Sequence, residues 1–123
     1  MKNYDLIIIG AGPAGLTASL YSARYKINHL VIGDPFTSLI CEAYSLENYP
    51  GFEKISGLEF IEKLKNQVEK YKVEILKENV VKIEKNKNFK VKTDSGKIFS
   101  SKTLIIATGT ERKKLNLPNE KEF

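Results

Sequence analysis

A glycine-rich segment near the amino terminus carries the clearest chemical signal in the sequence. Residues 10–15 read Gly-Ala-Gly-Pro-Ala-Gly, between an apolar run at 4–9 and a segment of helical periodicity. In this context the first glycine permits a tight turn, the second lets the backbone approach a pyrophosphate, and the third lets the helix pack on the strand. The segment therefore predicts a dinucleotide site rather than a plain strand–turn–helix.

An acidic residue is expected at the end of the second strand, where it would hold a ribose hydroxyl. That strand is the apolar run 29–32, but Gly33 occupies the expected position and Asp34 follows one residue later. Asp34 either contacts the ribose or begins a turn together with Pro35. Both interpretations stay open, and the glycine motif by itself does not distinguish FAD from NAD.

The periodicity of the remaining sequence predicts the elements that position these residues. A strand at 4–9, a helix at 14–25 and a strand at 29–32 form one βαβ unit. After an irregular stretch at 36–55, Ser56 begins a second helix. Short strands follow at 73–76, 80–84, 89–93, 97–100 and 103–107. We expect an α/β fold, with a Rossmann-like parallel sheet and an inserted antiparallel β-meander.

Composition excludes several classes of protein. The chain has 123 residues, 41% hydrophobic and 28% charged, which is typical of one soluble globular domain. No apolar run approaches the roughly 20 residues of a membrane span, and no secretory signal is present. The single cysteine, Cys41, excludes an internal disulfide and a cysteine-based metal site, which favours the cytoplasm. The net charge of +5 comes from lysines scattered among glutamates, so nucleic-acid binding is not predicted.

Five segments occur in an order that resembles a known family. Besides residues 10–15 they are Glu-Asn-Tyr-Pro-Gly-Phe at 47–52, Ser-Gly-Leu-Glu at 56–59, Thr-Leu-Ile-Ile-Ala-Thr-Gly at 103–109 and Leu-Asn-Leu-Pro-Asn-Glu at 115–120. The series resembles the amino-terminal FAD-binding part of low-molecular-weight thioredoxin reductases, which are pyridine nucleotide-disulfide oxidoreductases. The resemblance covers essentially the whole chain and implies FAD as the cofactor.

The resemblance also implies roles for single residues. The pyrophosphate would be held by Gly10, Gly12, Pro13, Ala14 and Gly15. Asn48 would contact the isoalloxazine region, although an asparagine before Tyr-Pro-Gly also suits a turn. The backbone of Val80 would meet the adenine, a role compatible with a place in the strand core. Ala107, Thr108 and Gly109 resemble the second flavoprotein signature, where a strand ends close to the cofactor.

Two departures from the family pattern bear on function. Thr37-Ser38-Leu39-Ile40 stands where members usually carry Gly-Gly-Gln-Leu, which alters the expected flavin contacts. The chain also lacks the Cys-x-x-Cys pair through which the family passes electrons, and a redox pair needs two thiols. We therefore expect residues 1–123 to be the first segment of an FAD-binding domain, without the NADPH domain and the last FAD segment. No catalytic residue is assigned, and His29 is interpreted as structural.

The predicted whole protein passes electrons from NADPH, or another donor, through FAD to a disulfide in thioredoxin or a similar protein. The family is commonly homodimeric, so a homodimer is an expectation from the resemblance. Two alternatives remain at this point. One is a related flavoprotein such as a ferredoxin–NADP reductase, which needs no cysteine pair, and the other is a stand-alone, non-catalytic nucleotide-binding module.

Overall fold

The computed structural model describes residues 1–111, 115 and 118, and it consists of one six-stranded sheet with two α-helices. Most of the 115–120 segment thus lies outside the described residues. No helix in the described part of the chain is long and apolar enough to cross a membrane. The elements are β1 (Lys2–Ile9), α1 (Pro13–Arg24), β2 (His29–Ile32), α2 (Gly57–Glu69), β3 (Glu74–Leu76), β4 (Val80–Lys85), β5 (Phe89–Thr93) and β6 (Ile98–Ile106).

The sheet has the strand order β3-β2-β1-β6-β5-β4. Strands β3, β2, β1 and β6 are parallel neighbours, whereas β6, β5 and β4 pair antiparallel. Helix α1 connects β1 to β2, and α2 precedes β3, so two successive crossovers build the parallel part. The predicted α/β class, with a parallel sheet and antiparallel strands, is confirmed.

Strand β6 corrects one detail of the prediction, since the two strands expected at 97–100 and 103–107 are a single strand. Its first half pairs antiparallel with β5, and its whole length pairs parallel with β1. The polar residues between the halves have partners on β1. The Lys102 ammonium lies 3.0 Å from the Asp5 carboxylate, and the Thr103 hydroxyl donates to the Asp5 carbonyl at 2.7 Å. The antiparallel strands therefore extend the parallel sheet directly.

A short connection between β3 and β4 forces the sheet to curl. These strands lie at opposite edges of the sheet, which would put them about 24 Å apart if it were flat. Only residues 77–79 join them, and the chain from Leu76 to Val80 reaches at most about 14 Å. The two edges must consequently approach each other at this end of the sheet.

Apolar side chains cover both faces of the parallel strands, as expected for a buried parallel sheet. On one face the strands pack against the two helices, in a cluster of Leu6, Ile8, Ala11, Leu16, Val31, Ile61 and Val68. On the other face the antiparallel strands contribute to a second cluster, formed by Tyr4, Ile7, Ile9, Leu30, Ile32, Val91 and Phe99. The sheet is therefore held between its helices and its own curled antiparallel part.

His29 is a structural residue, as predicted. Its side chain is buried, and the Nδ1 atom lies 2.8 Å from the carbonyl oxygen of Ile27, to which it donates because a carbonyl only accepts. In the neutral ring this leaves Nε2 as an acceptor for the Ser19 hydroxyl at 2.8 Å. The Nε2 contact thus ties α1 to the start of β2, and the Nδ1 contact holds the ring against the loop between them.

We expect Gly57→Ala to lower the free energy of unfolding by about 1–3 kcal/mol, measured by urea denaturation. A Cβ atom at Gly57 would overlap the carbonyl oxygen of Ile40, so the helix could not dock against the short turn at 39–42. The sign is informative, because glycine to alanine in an open helix position stabilises. Glu62→Ala, at an exposed position of the same helix, is the control. A stabilised Gly57→Ala variant would contradict this packing.

Candidate functional site

A cavity of about 560 Å³ lies at the carboxyl ends of β1, β2 and β6, within the size range of small-molecule sites. The chain runs from β1 to β2 and β3 on one side, while β6 lies on the other, so this is the point where the strand order reverses. Open α/β sheets bind their ligands at such points. The cavity is lined by residues 9–14, 32–34, 37–40, 78–80 and 107–110.

The amino terminus of α1 opens into this cavity without a side-chain cap. Gly12 is the N-cap residue, Pro13 occupies the first turn, and no side chain bonds to the free backbone N–H groups there. Helix α2 differs, because the Ser56 hydroxyl accepts a hydrogen bond from the Glu59 N–H at 3.1 Å. The uncapped N–H groups and the positive end of the helix dipole make the α1 terminus suited to an anion.

The three motif glycines have different neighbours. Gly10 has a φ of +112°, and a Cβ atom there would overlap the carbonyl oxygen of Ala107. A Cβ atom at Gly15 would overlap the Gly10 carbonyl oxygen. At Gly12, by contrast, the nearest atom to a Cβ would be the Ser38 Cβ, at 3.4 Å. Gly10 and Gly15 are thus required by contacts within the protein, whereas Gly12 borders the cavity.

Asp34 begins a turn, as one of the two interpretations predicted, and it also lines the cavity. Its Oδ1 atom accepts a hydrogen bond from the Phe36 N–H at 3.0 Å, which begins the short 3-10 turn at Pro35–Thr37. The residue is half-buried and lines the cavity. Among the described residues, no protein group bonds to Oδ2. The turn role is confirmed, and the ribose contact stays a prediction.

The wall at 37–40 presents hydroxyl oxygens whose protons are already used. The Thr37 hydroxyl donates to the Asp34 carbonyl at 3.0 Å, and the Ser38 hydroxyl donates to the Pro35 carbonyl at 2.7 Å. Toward a ligand, these oxygens can therefore accept hydrogen bonds. Cys41 does not line the cavity; its thiol lies 3.5 Å from the Pro35 carbonyl and packs against the helix-side cluster.

Glu78, on the opposite wall, is held by three donors from the turn between β5 and β6. Its carboxylate accepts hydrogen bonds from the Thr93 hydroxyl at 2.8 Å, from the Lys97 ammonium at 2.9 Å and from the Ser95 hydroxyl. The hydrogen bonds from Ser95, Lys97 and Thr93 lower the pKa of Glu78 to about 2. The carboxylate is therefore ionised throughout the physiological range.

Asn79 and Val80 continue the same wall. The backbone N–H and the side-chain amide of Asn79 donate to the Asp94 carboxylate at 3.3 and 3.1 Å, and the Asp94 N–H donates to the Asn79 carbonyl at 2.8 Å. Val80 lines the cavity and also packs against the second apolar cluster, so both interpretations of this residue are compatible. Glu78 and Asn79, two successive residues of this wall, are thus both hydrogen-bonded to the β5–β6 turn.

The structure brings every predicted site residue to the cavity lining except Gly15 and Asn48. Gly15 lies behind Gly10, as its packing role requires. Asn48 is exposed in the segment before α2, and its contact with a flavin stays a prediction. Sequence reasoning missed Glu78, whose only local signal is its position between two strands, since its donors lie at 93–97. Within the described residues, no group of His, Cys, Asp and Glu could hold a metal ion.

Comparison with known proteins gives a consistent result. The family model described as pyridine nucleotide-disulphide oxidoreductase matches residues 4–123. Thioredoxin reductase of Bacillus subtilis (strain 168) is 39% identical over 99% of this chain and 39% of its own length. A solved Lactococcus lactis thioredoxin reductase superposes with a TM-score of 0.87 at 38% identity, covering 97% of this chain and 40% of that one.

A second solved structure that is similar to this chain has ferredoxin in its name. The ferredoxin–flavin thioredoxin reductase of Clostridium acetobutylicum superposes with a TM-score of 0.84 at 30% identity, covering 93% of this chain and 40% of that one. The chain thus spans about 40% of the length of each of these three proteins.

We expect the contribution of Glu78 to stability to disappear in acid. Because its folded pKa is below the ordinary value of 4.5, the ionised carboxylate stabilises the fold fully above about pH 5. That stabilisation is lost as the pH falls from there toward 2. Urea denaturation should therefore show Glu78→Gln less stable than the wild type at pH 7, with the gap closing between pH 5 and pH 2.

The matched control is Glu62→Gln, an exposed glutamate on α2. Its gap from the wild type should stay small at every pH. A Glu78→Gln gap that is equally large at pH 7 and pH 3 would show that the charged hydrogen bonds are not its source.

Proposed function

The chain belongs to the pyridine nucleotide-disulphide oxidoreductase family, and we propose that residues 1–123 form the amino-terminal FAD-binding segment of a thioredoxin-reductase-like oxidoreductase. The observation that carries the proposal is the cavity at the strand ends, into which the uncapped amino terminus of α1 opens. Flavin use is common to this family, and FAD is the form with a pyrophosphate for that terminus to bind.

Different groups of lining residues are suited to the pyrophosphate, the ribose, the adenine and the flavin ring of FAD. No lysine or arginine lines the cavity among the described residues, so the pyrophosphate charge is met by the backbone N–H groups around Gly12 and Ala14. Asp34 accepts from a ribose hydroxyl through its free Oδ2 atom. The backbone of Val80 would hold the adenine, and residues 107–109 together with the Asn48 side chain would hold the flavin ring.

The proposed reaction is completed by parts of the whole protein outside these residues. Bound FAD supplies two-electron transfer between a donor and a disulfide. The chain has one cysteine, Cys41, whereas disulfide exchange of this kind needs two thiols, so the redox pair and the NADPH site belong elsewhere in the protein. The proposed acceptor is the disulfide of thioredoxin or of a similar protein. We propose that the whole protein is a cytoplasmic homodimer.

The donor is NADPH or another reductant. Solved proteins named thioredoxin reductase and ferredoxin–flavin thioredoxin reductase have the same fold at this segment, so the fold alone does not select between the donors. The thioredoxin reductases among the relatives favour this class over a ferredoxin–NADP reductase or a non-catalytic module.

We expect the chain to bind FAD in a titration followed by flavin fluorescence, and Gly12→Ala to weaken that binding by about tenfold. The added methyl group would narrow the gap between the α1 terminus and Ser38, where the pyrophosphate must approach. The φ of Gly12 is −77°, a value that alanine adopts without strain, so the variant should fold, and its free energy of unfolding is measured alongside its affinity. Thr17→Ala, on the same helix but outside the cavity, is the control. Equal affinity in all three proteins would contradict the proposed phosphate site.

We also expect the 123-residue chain not to catalyse NADPH-dependent reduction of a disulfide, because it holds a single thiol. The measurement is NADPH oxidation in the presence of FAD and oxidised thioredoxin, with a full-length thioredoxin reductase as the positive control. Sustained NADPH oxidation that depends on the 123-residue chain would contradict the proposal that the redox pair and the NADPH site lie elsewhere in the protein.

A further inference from the structure

The connection between β3 and β4 is fastened at two points, to the end of β2 and to the turn between β5 and β6. On one side, the Leu76 carbonyl accepts hydrogen bonds from both Gly33 N–H and Glu78 N–H, each at 2.9 Å. Gly33 and Glu78 are held next to each other because their N–H groups donate to the same carbonyl oxygen. The connection is thereby joined to the end of β2, where Asp34 follows.

On the other side, the Glu78 side chain reaches the turn between β5 and β6. The donors to its carboxylate come from both ends and the middle of that turn, namely Thr93, Ser95 and Lys97. The Glu78 side chain is only 14% exposed, whereas that of Lys97 is 56% exposed. Charged hydrogen bonds of this kind are stronger than neutral ones and fix a direction as well as a distance.

The two attachments act on a wall of the cavity that lies largely outside the strands, where Asn79 is also joined to Asp94 of the β5–β6 turn by three hydrogen bonds. Residues 77–79 lie between strands, and their three-residue length holds together two sheet edges that would otherwise separate. The opposite lining is supported independently, since the Ala107 N–H donates to the Ile9 carbonyl at 2.7 Å as β6 runs along β1. A loss at Glu78 should therefore affect one end of the cavity.

We propose that Glu78 is a positioning residue for the nucleotide end of the cavity: it clamps the β3–β4 connection to the β5–β6 turn and so fixes the lining backbone of Asn79 and Val80 for an adenosine group. This inference rests on the proposed function, because it takes the ligand to be an adenine dinucleotide. A merely structural role would differ, since it would lower affinity at both ends of the cavity alike.

The test compares two ligands, ADP and inorganic pyrophosphate, by calorimetry or NMR titration of the full chain at a temperature where each variant is folded. ADP requires the adenosine wall, whereas pyrophosphate requires only the α1 terminus. We expect Glu78→Gln to weaken ADP binding on the order of tenfold and to leave pyrophosphate binding unchanged. Hydrogen exchange at the amides of Asn79 and Val80 should become faster in the same variant.

The matched control is Glu84→Gln, in the same antiparallel strands. Glu84 also forms an ion pair, with Lys82 at 2.8 Å, but it does not line the cavity. We expect its affinities for both ligands to equal those of the wild type. Lys97→Met probes the clamp from the exposed turn and should weaken ADP binding in the same direction, so it decides the question if Glu78→Gln does not fold.

The outcomes separate this inference from the proposed function. A wild-type chain that binds neither FAD nor ADP would overturn both. A wild-type chain that binds both, together with Glu78→Gln and Lys97→Met variants of unchanged ADP affinity, would overturn the clamp alone. Equal weakening of ADP and pyrophosphate binding would assign Glu78 a general structural role and would likewise overturn the clamp.

Discussion

The length of one connection controls the shape of this molecule. Residues 77–79 must join the two outermost strands of a six-stranded sheet, so the sheet curls until those edges meet at its carboxyl end. The curl places the wall at 78–80 opposite the glycine segment and closes a cavity that a flat sheet would leave open. The curl also packs side chains of the antiparallel strands into the second apolar cluster. Fold and site thus share one cause.

The charges of the cavity are arranged differently from those of the whole chain. The net charge of the chain is +5, yet the ionisable side chains among the described lining residues are the carboxylates of Asp34 and Glu78. Glu78 is neutralised by Lys97, and Asp34 has one oxygen occupied by the backbone. Attraction for an anion therefore originates in the main chain at α1, where it does not depend on any flexible side chain.

Sequence reasoning succeeded where the determinants are local. The glycine segment, the βαβ unit and the Ser56 cap depend on residues a few positions apart, and all three occur as predicted. It failed where a distant partner decides, as at β6, whose polar middle looked like a strand end because Asp5 could not be foreseen as its partner. The wall at Glu78 was missed for the same reason.

The unequal roles of the three motif glycines have a consequence for how such sequences evolve. Gly10 and Gly15 are demanded by the close approach of one backbone to another, so selection for a folded protein preserves them whether or not a nucleotide is bound. Gly12 lines the cavity without any such contact, so only the ligand requires it. In a duplicated gene whose product no longer bound the cofactor, substitutions would accumulate first at Gly12, while Gly10 and Gly15 were retained. Most of the glycine motif would therefore remain in a protein that had lost the activity.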